Sequence, residues 1–167
     1  MACCTASTVH HLLPPDIREL CVPIIEPGAR RALSLTSVGK IGVIATERTV
    51  SSGAFERAVR KIAPSVSVIS VSAQPLVSII EGGERDGGVS EDTVSYLKLT
   101  LSPLLSAGID VLILGCTHFP LLAGTISSLI GDVALVSSAR EGAIEMKRLS
   151  SSNGCGITKY ISEKKGR

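Results

Sequence analysis

Aromatic residues are almost missing from this chain: they make up 2% of its 167 residues, and there is no tryptophan. That scarcity argues against single-stranded nucleic-acid binding, which leans on aromatic stacking platforms. An excess of one charge is missing too. The formal net charge is +2, so electrostatics nominates neither nucleic acid nor a membrane surface as a partner. The apolar runs are too short to span a bilayer. Met1 leads straight into Ala2-Cys3-Cys4-Thr5 without the basic and apolar regions of a signal peptide. A cytoplasmic protein is expected. The five cysteines (Cys3, Cys4, Cys21, Cys116 and Cys155) lack the paired C-x-x-C spacing of zinc sites, so no metal is expected. In a reducing cytosol each is a free thiol, either a small core residue or a reactive group.

Core-forming material is ample. Hydrophobic residues make up 44% of the chain and the mean hydropathy is +0.38, with Leu, Ile, Val and Ala in place of aromatics, as in buried parallel sheets. Val22–Ile25 reads as a short strand with Glu26-Pro27-Gly28 as its turn, and a helix follows through Leu35. Lys40–Ala45 is a stronger strand. Thr46 then reads as an N-cap for a helix carrying Phe55, Ala58, Val59 and Ile62 at helical spacing. Val66–Val71 is a third β-branched run. Gly82–Gly88 (GGERDGG) reads as a mobile surface loop, because no strand-to-helix context makes it a phosphate cradle. Ser90 opens a helix with Leu97, Leu101, Leu104 and Leu105 along one face, and Pro103 is expected to bend it. Ile109–Leu114 is the clearest buried strand. Pro120 opens a helix, Val133–Val136 is a strand, and Ser138–Leu149 is a last helix before a polar tail ending in Lys164-Lys165-Gly166-Arg167. This alternation predicts an α/β fold: an open parallel sheet with helices on both faces, binding ligands beyond the carboxyl ends of its strands.

That rule directs attention to Gly115-Cys116-Thr117-His118-Phe119-Pro120. Cys116 stands at a strand exit and a helix entrance, a setting that stabilises a thiolate and can lower a thiol pKa of about 8.5 by one or more units. His118 can assist proton transfer or orient a ligand. By itself Cys116 reads equally well as a catalytic thiol or a buried structural one. At the other end, Ala2-Cys3-Cys4-Thr5-Ala6-Ser7 sets a second cysteine before a helix, with Thr5 and Ser7 as hydroxyl donors; alone, a structural role is favoured. His10 and His11 read as solvated or capping residues, and Glu81 as a surface carboxylate.

Together the two segments resemble a known pattern. Glutamate racemases carry one motif A-C-N-T-A-S and another L-G-C-T-H-Y-P-L-L; here ACCTAS runs from Ala2 and LGCTHFPLL from Leu114. Between them, IIEPGARRAL from Ile24, KIGVIATERTVSSGAF from Lys40 and PLVSIIEGGE from Pro75 resemble further family segments in order. The resemblance implies interconversion of L- and D-glutamate without cofactor or metal, supplying D-glutamate for peptidoglycan in a bacterial cytoplasm. One thiolate removes the α-proton and a thiol on the opposite face returns one. By the family's motifs Cys3 and Cys116 take these roles, Glu81 and His118 assist, and Cys4, Thr5, Thr117 and His118 contact substrate. Cys4 replaces the family's asparagine, which weakens one contact. Phe119 replaces a tyrosine.

The family fold is two pseudo-symmetric α/β lobes with the site between them, and the resemblance allows a homodimer. Residues 29–138 are expected to form the second lobe, and residues 1–28 with 139–167 an incomplete first lobe. The D-S-G and P-Y-G segments that precede the first cysteine in the family are not found before Cys3. A truncated, inactive remnant is therefore one alternative. A related aspartate racemase is another, against which His118 and Ser7 weigh.

Overall fold

A computed structural model describes residues 3–152. Residues 4–19 form three short turns of helix: α1 (Cys4–Ser7), a 3₁₀ turn (His10–Leu12) and α2 (Pro15–Glu19). The main body follows in the order α3 (Ile25–Leu35), β1 (Lys40–Ala45), α4 (Glu47–Ser51), α5 (Ala54–Ile62), β2 (Ser67–Ser72), α6 (Pro75–Glu81), α7 (Glu91–Ser106) and β3 (Val111–Gly115). A 3₁₀ turn (Phe119–Leu122), α8 (Ala123–Ile130), β4 (Ala134–Ser137) and α9 (Ser138–Ser152) complete it. The four strands pair in parallel in the order β2-β1-β3-β4. The fold is the expected α/β sheet flanked by helices. Cys155 and the basic tail lie outside the described residues. Among the described residues no helix is long and apolar enough to cross a membrane.

The two faces of the sheet bury separate cores, as period-two alternation along buried strands requires. Ile44, Leu112 and Leu114 point to one, with Leu97, Leu101 and Leu104 of α7 and Phe119, Leu122 and Ile126 beyond β3. Ile41, Val43, Val111 and Ile113 point to the other, against Ala29 and Ala32 of α3 and Phe55 and Val59 of α5. Cys4, Ile24 and Ile25 belong to this second core, so the segment after Cys3 packs on the same body as residues 29–138.

Three local expectations are corrected. Val22–Ile25 is not a strand: it joins no ladder of the described sheet, and Ile24 is buried instead against α9, where a Cβ on Gly142 would lie 2.2 Å from Ile24 Cγ2. Glu26-Pro27-Gly28 is accordingly inside the first turns of α3, where proline's missing N–H costs nothing. The helix after Thr46 is two helices, broken at Gly53, which takes a left-handed φ of 59° that other residues resist. The Ser90 cap forms as expected, its hydroxyl accepting from Thr93 N–H at 3.2 Å.

At the amino edge of the sheet, Asp110 fastens the turn before β1. Its carboxylate accepts from the Thr36 and Ser37 hydroxyls and from the Ser37 and Val38 N–H groups. Burial alone would raise its pKa, but these donors outweigh it and hold the carboxyl at about 2.

Candidate active site

The strand register fixes which residues share the carboxyl edge. Ala45 pairs with Ser72 and with Gly115, and Leu114 with Ser137. Thr46, Ala73, Cys116 and Ser138 therefore leave the sheet side by side. The order β2-β1-β3-β4 reverses direction between β1 and β3, and such a switch point opens a crevice between the two following loops. Those loops begin with Thr46 and Cys116.

Gly115 lets Cys116 reach this position. A Cβ on Gly115 would lie 2.9 Å from Ala45 Cβ, 3.0 Å from Ile44 O and 3.0 Å from Phe55 Cε2, so only glycine fits between β1 and α5. Cys116 is 8% exposed. Its Sγ lies 3.6 Å from His118 Nδ1, and His118 Nε2 lies 3.3 Å from Glu81 Oε1. Glu81 ends α6, so two elements distant in sequence meet through one imidazole. The imidazole thus stands between the thiol and the carboxylate, with Nδ1 toward Sγ and Nε2 toward Glu81.

The expectation of a lowered thiol pKa at Cys116 is corrected. Burial raises it above the ordinary value. The N–H groups of His118, Phe119 and Thr117 pull it down, and charge at Cys3 pushes it up again. The helix-entrance donors are present, yet loss of solvent outweighs them.

Cys3 is exposed and N-caps the single turn α1. Ser7 Oγ donates back to Cys3 O at 2.8 Å, and Ile24 N–H donates to Ser7 Oγ at 3.2 Å, tying the turn to the start of α3. Cys4, in contrast, is 2% exposed. Burial pushes its thiol up to about 12, with charge at Cys116 adding to the effect, Ser138 opposing it and Cys3 adding a little. Ser138 Oγ is itself fully buried and forms no well-made hydrogen bond, so it compensates a thiolate weakly. Three thiols from two distant parts of the chain thus lie within electrostatic reach of one another.

Thr5 Oγ1 sits 2.9 Å from Thr46 Oγ1 and 3.2 Å from Thr49 Oγ1, which are themselves 2.9 Å apart. Thr46 and Thr49 had no functional reading from the sequence; their T-x-x-T spacing gains meaning only once β1 is seen beside β3. Thr117 is half-buried between Cys116 and His118. His10 caps: its Nε2–H is shared between Arg18 O at 3.1 Å and Cys21 O at 3.2 Å. His11 is exposed. Among the described residues no group of three His, Cys, Asp or Glu side chains is arranged to hold a metal.

Known proteins match this chain over most of its length. The Asp/Glu/Hydantoin racemase family model matches residues 1–145. A glutamate racemase of Exiguobacterium sibiricum is 42% identical over 158 residues, which is 92% of this chain and 56% of that protein. One of Bacillus cereus is 39% identical over 89% of this chain and 55% of its own length. The crystal structure of a Bacillus anthracis glutamate racemase superposes with a TM-score of 0.78 at 36% identity, covering 91% of this chain and 57% of that one. That of the Francisella tularensis enzyme, solved in complex with D-glutamate, superposes with a TM-score of 0.77 at 26% identity, covering 91% and 56%. The chain spans about half the length of the curated relatives it matches. It belongs to the Asp/Glu/Hydantoin racemase family.

Proposed function

We propose that this chain carries the two thiols of a glutamate racemase that works without a cofactor, with Cys116 and Cys3 serving opposite faces of the α-carbon. The observation that supports this best is the line Cys116–His118–Glu81 at the switch point of the sheet, with the charge of Cys3 felt at Cys116. In the forward turn the Cys116 thiolate takes the α-proton as the C–H bond breaks, leaving the electron pair on carbon beside the substrate carboxylate. The Cys3 thiol then gives its proton to the other face. Cys116 ends as thiol and Cys3 as thiolate, so the reverse turn begins from the opposite enantiomer with the roles exchanged. One group cannot serve both faces of a carbon held in a fixed pose, which is why two acids are needed.

The neighbours divide the remaining work. The backbone N–H groups of residues 117–119 stabilise the Cys116 thiolate when it forms. Glu81 faces His118 Nε2 and leaves Nδ1 toward Sγ, where the imidazole can receive the thiol proton. The hydroxyls of Thr5, Thr46 and Thr49, with Thr117, supply donors for the substrate's carboxylates. Cys4 lies beneath these groups and acts through packing.

Exchange of the α-proton in D₂O, followed by NMR, tests the reading. Exchange from both enantiomers of glutamate, absent with aspartate and abolished in Cys116→Ser, is the expected result. A chain that exchanges neither enantiomer, or a Cys116→Ser variant that exchanges as before, overturns it.

A further inference from the structure

The loop 82–88 begins directly after Glu81 and was expected to be mobile, yet Asp86 pins it. Its carboxylate accepts from Gly124 N–H at 2.7 Å, Thr125 N–H at 2.9 Å and the Thr125 hydroxyl at 2.8 Å, all in the first turn of α8. Its own N–H donates to Leu121 O at 2.9 Å, and Leu121 N–H donates to His118 O at 3.0 Å. Helix caps ordinarily come from the residue just before the helix. Here the position before α8 is Leu122, which has no capping group, and the acid arrives from 38 residues away. The approach is close enough that a Cβ on Gly124 would lie 3.0 Å from Asp86 Oδ2. Gly83 and Gly87, with φ of 109° and 91°, give the loop the turns it needs.

Glu81 and His118 sit on the two segments that Asp86 joins. Neither partner of that 3.3 Å contact is buried: the side chains are 63% and 38% exposed. An exposed pair of this kind is weak on its own and cannot set its own geometry. The same turn carries His118 and Phe119, whose N–H groups lower the Cys116 pKa.

We propose that Asp86 is a positioning residue for proton transfer: by clamping the loop after Glu81 to the turn after His118, it keeps the imidazole and the N–H groups aligned on Cys116. This rests on the racemase reading of the Cys116 site. Asp86 touches no reacting atom; it acts through His118 and the turn.

The test uses Asp86→Asn and Gly124→Ala in the full chain, two changes that loosen the same clamp from opposite sides. Asp110→Asn serves as a control, because it loosens the turn before β1 at the opposite edge of the sheet and touches neither segment of the clamp. The readouts are the pH midpoint for iodoacetamide capture of Cys116, read on its peptide by mass spectrometry, the kcat and KM of α-proton exchange, and the melting temperature. Both clamp variants are expected to move the Cys116 midpoint up by about half a unit, leaving roughly a threefold lower thiolate fraction below it. Their kcat should fall about threefold with KM within about twofold. Asp110→Asn should lower the melting temperature and move neither. If the clamp variants melt earlier while the Cys116 midpoint stays at the wild-type value, Asp86 is only a helix cap and the proposal fails. If Asp86→Asn does not fold, Gly124→Ala decides. The alkylation arm does not need turnover, so absent exchange counts against the racemase reading alone, and an unmoved midpoint in an exchanging protein counts against the clamp alone.

Discussion

Cys116 follows an interior strand and is 8% exposed, whereas Cys3 precedes a single helical turn and stands open to solvent. The first is placed by a glycine that leaves almost no room for a Cβ and faces an imidazole. The second is held by a short relay from Ser7 to Ile24. The same residue type therefore reaches one edge of the sheet by two routes. Where the backbone is fixed by a buried ladder, the thiol's surroundings are dictated by the strand. Where it is a lone turn, they depend on what packs over it. Precise placement is needed at both ends of a proton transfer, so the contrast says where this site is stiff and where it is soft.

The contrast can be broken or sharpened by experiment. The largest expected effect concerns Cys4, the buried thiol between the two. Its folded pKa is raised from 9.0 to about 12, so its contribution to stability is full below the unfolded value and is lost as pH rises from about 9 toward 12. A three-unit shift corresponds to a difference on the order of 4 kcal/mol across that window. Cys4→Ala should flatten the alkaline fall in melting temperature relative to the wild type; an unchanged fall would mean the thiol is not sealed from solvent. Next in size is Gly115→Ala. Forcing a methyl against Ala45, Ile44 and Phe55 should cost about 1–3 kcal/mol in urea unfolding. An alanine tolerated without loss would show that β3 can shift and that the Cys116 side is no stiffer than the Cys3 side.

Smaller effects follow from exposure. At pH 7, iodoacetamide should capture Cys3 at least about tenfold faster than Cys116, because the buried thiol is both shielded and harder to ionise. Equal rates would remove the distinction between the two. Least of all, Glu81→Gln should change stability by less than about 1 kcal/mol, the ceiling for an exposed pair, while slowing α-proton exchange several-fold. A larger loss of stability would make Glu81 a structural residue.

Much of this architecture is legible from local pattern. Lys40–Ala45 and Ile109–Leu114 are short apolar stretches rich in Ile, Val and Leu, and they supply the two interior strands. Cys116 was identifiable because a strand exit is a position the sequence itself defines. Val22–Ile25 has the same composition as a strand but is buried by helix packing on α9, and no local pattern separates the two kinds of burial. Cys4 was read as a substrate contact by analogy with an asparagine; its neighbour Ser138 comes from the far end of the chain, so its burial was not visible in order. Thr46 was read for helix capping and Thr49 carried no reading, because their proximity to Thr5 arises only when α1 packs over α4. Asp86 was hidden for the opposite reason. Its glycine-rich surroundings look like a free loop, and its partners are in α8.

The central claim is that two different thiols serve the two faces of the α-carbon, and the isotope content of product and remaining substrate at early times in D₂O tests it most directly. Starting from pure L-glutamate, the account predicts deuterium in newly formed D-glutamate while the unreacted L-glutamate stays protiated, and the mirror result from D-glutamate. Protium carried over into the product, or deuterium appearing equally in both enantiomers from the first turnovers, would point to a single base and contradict the account.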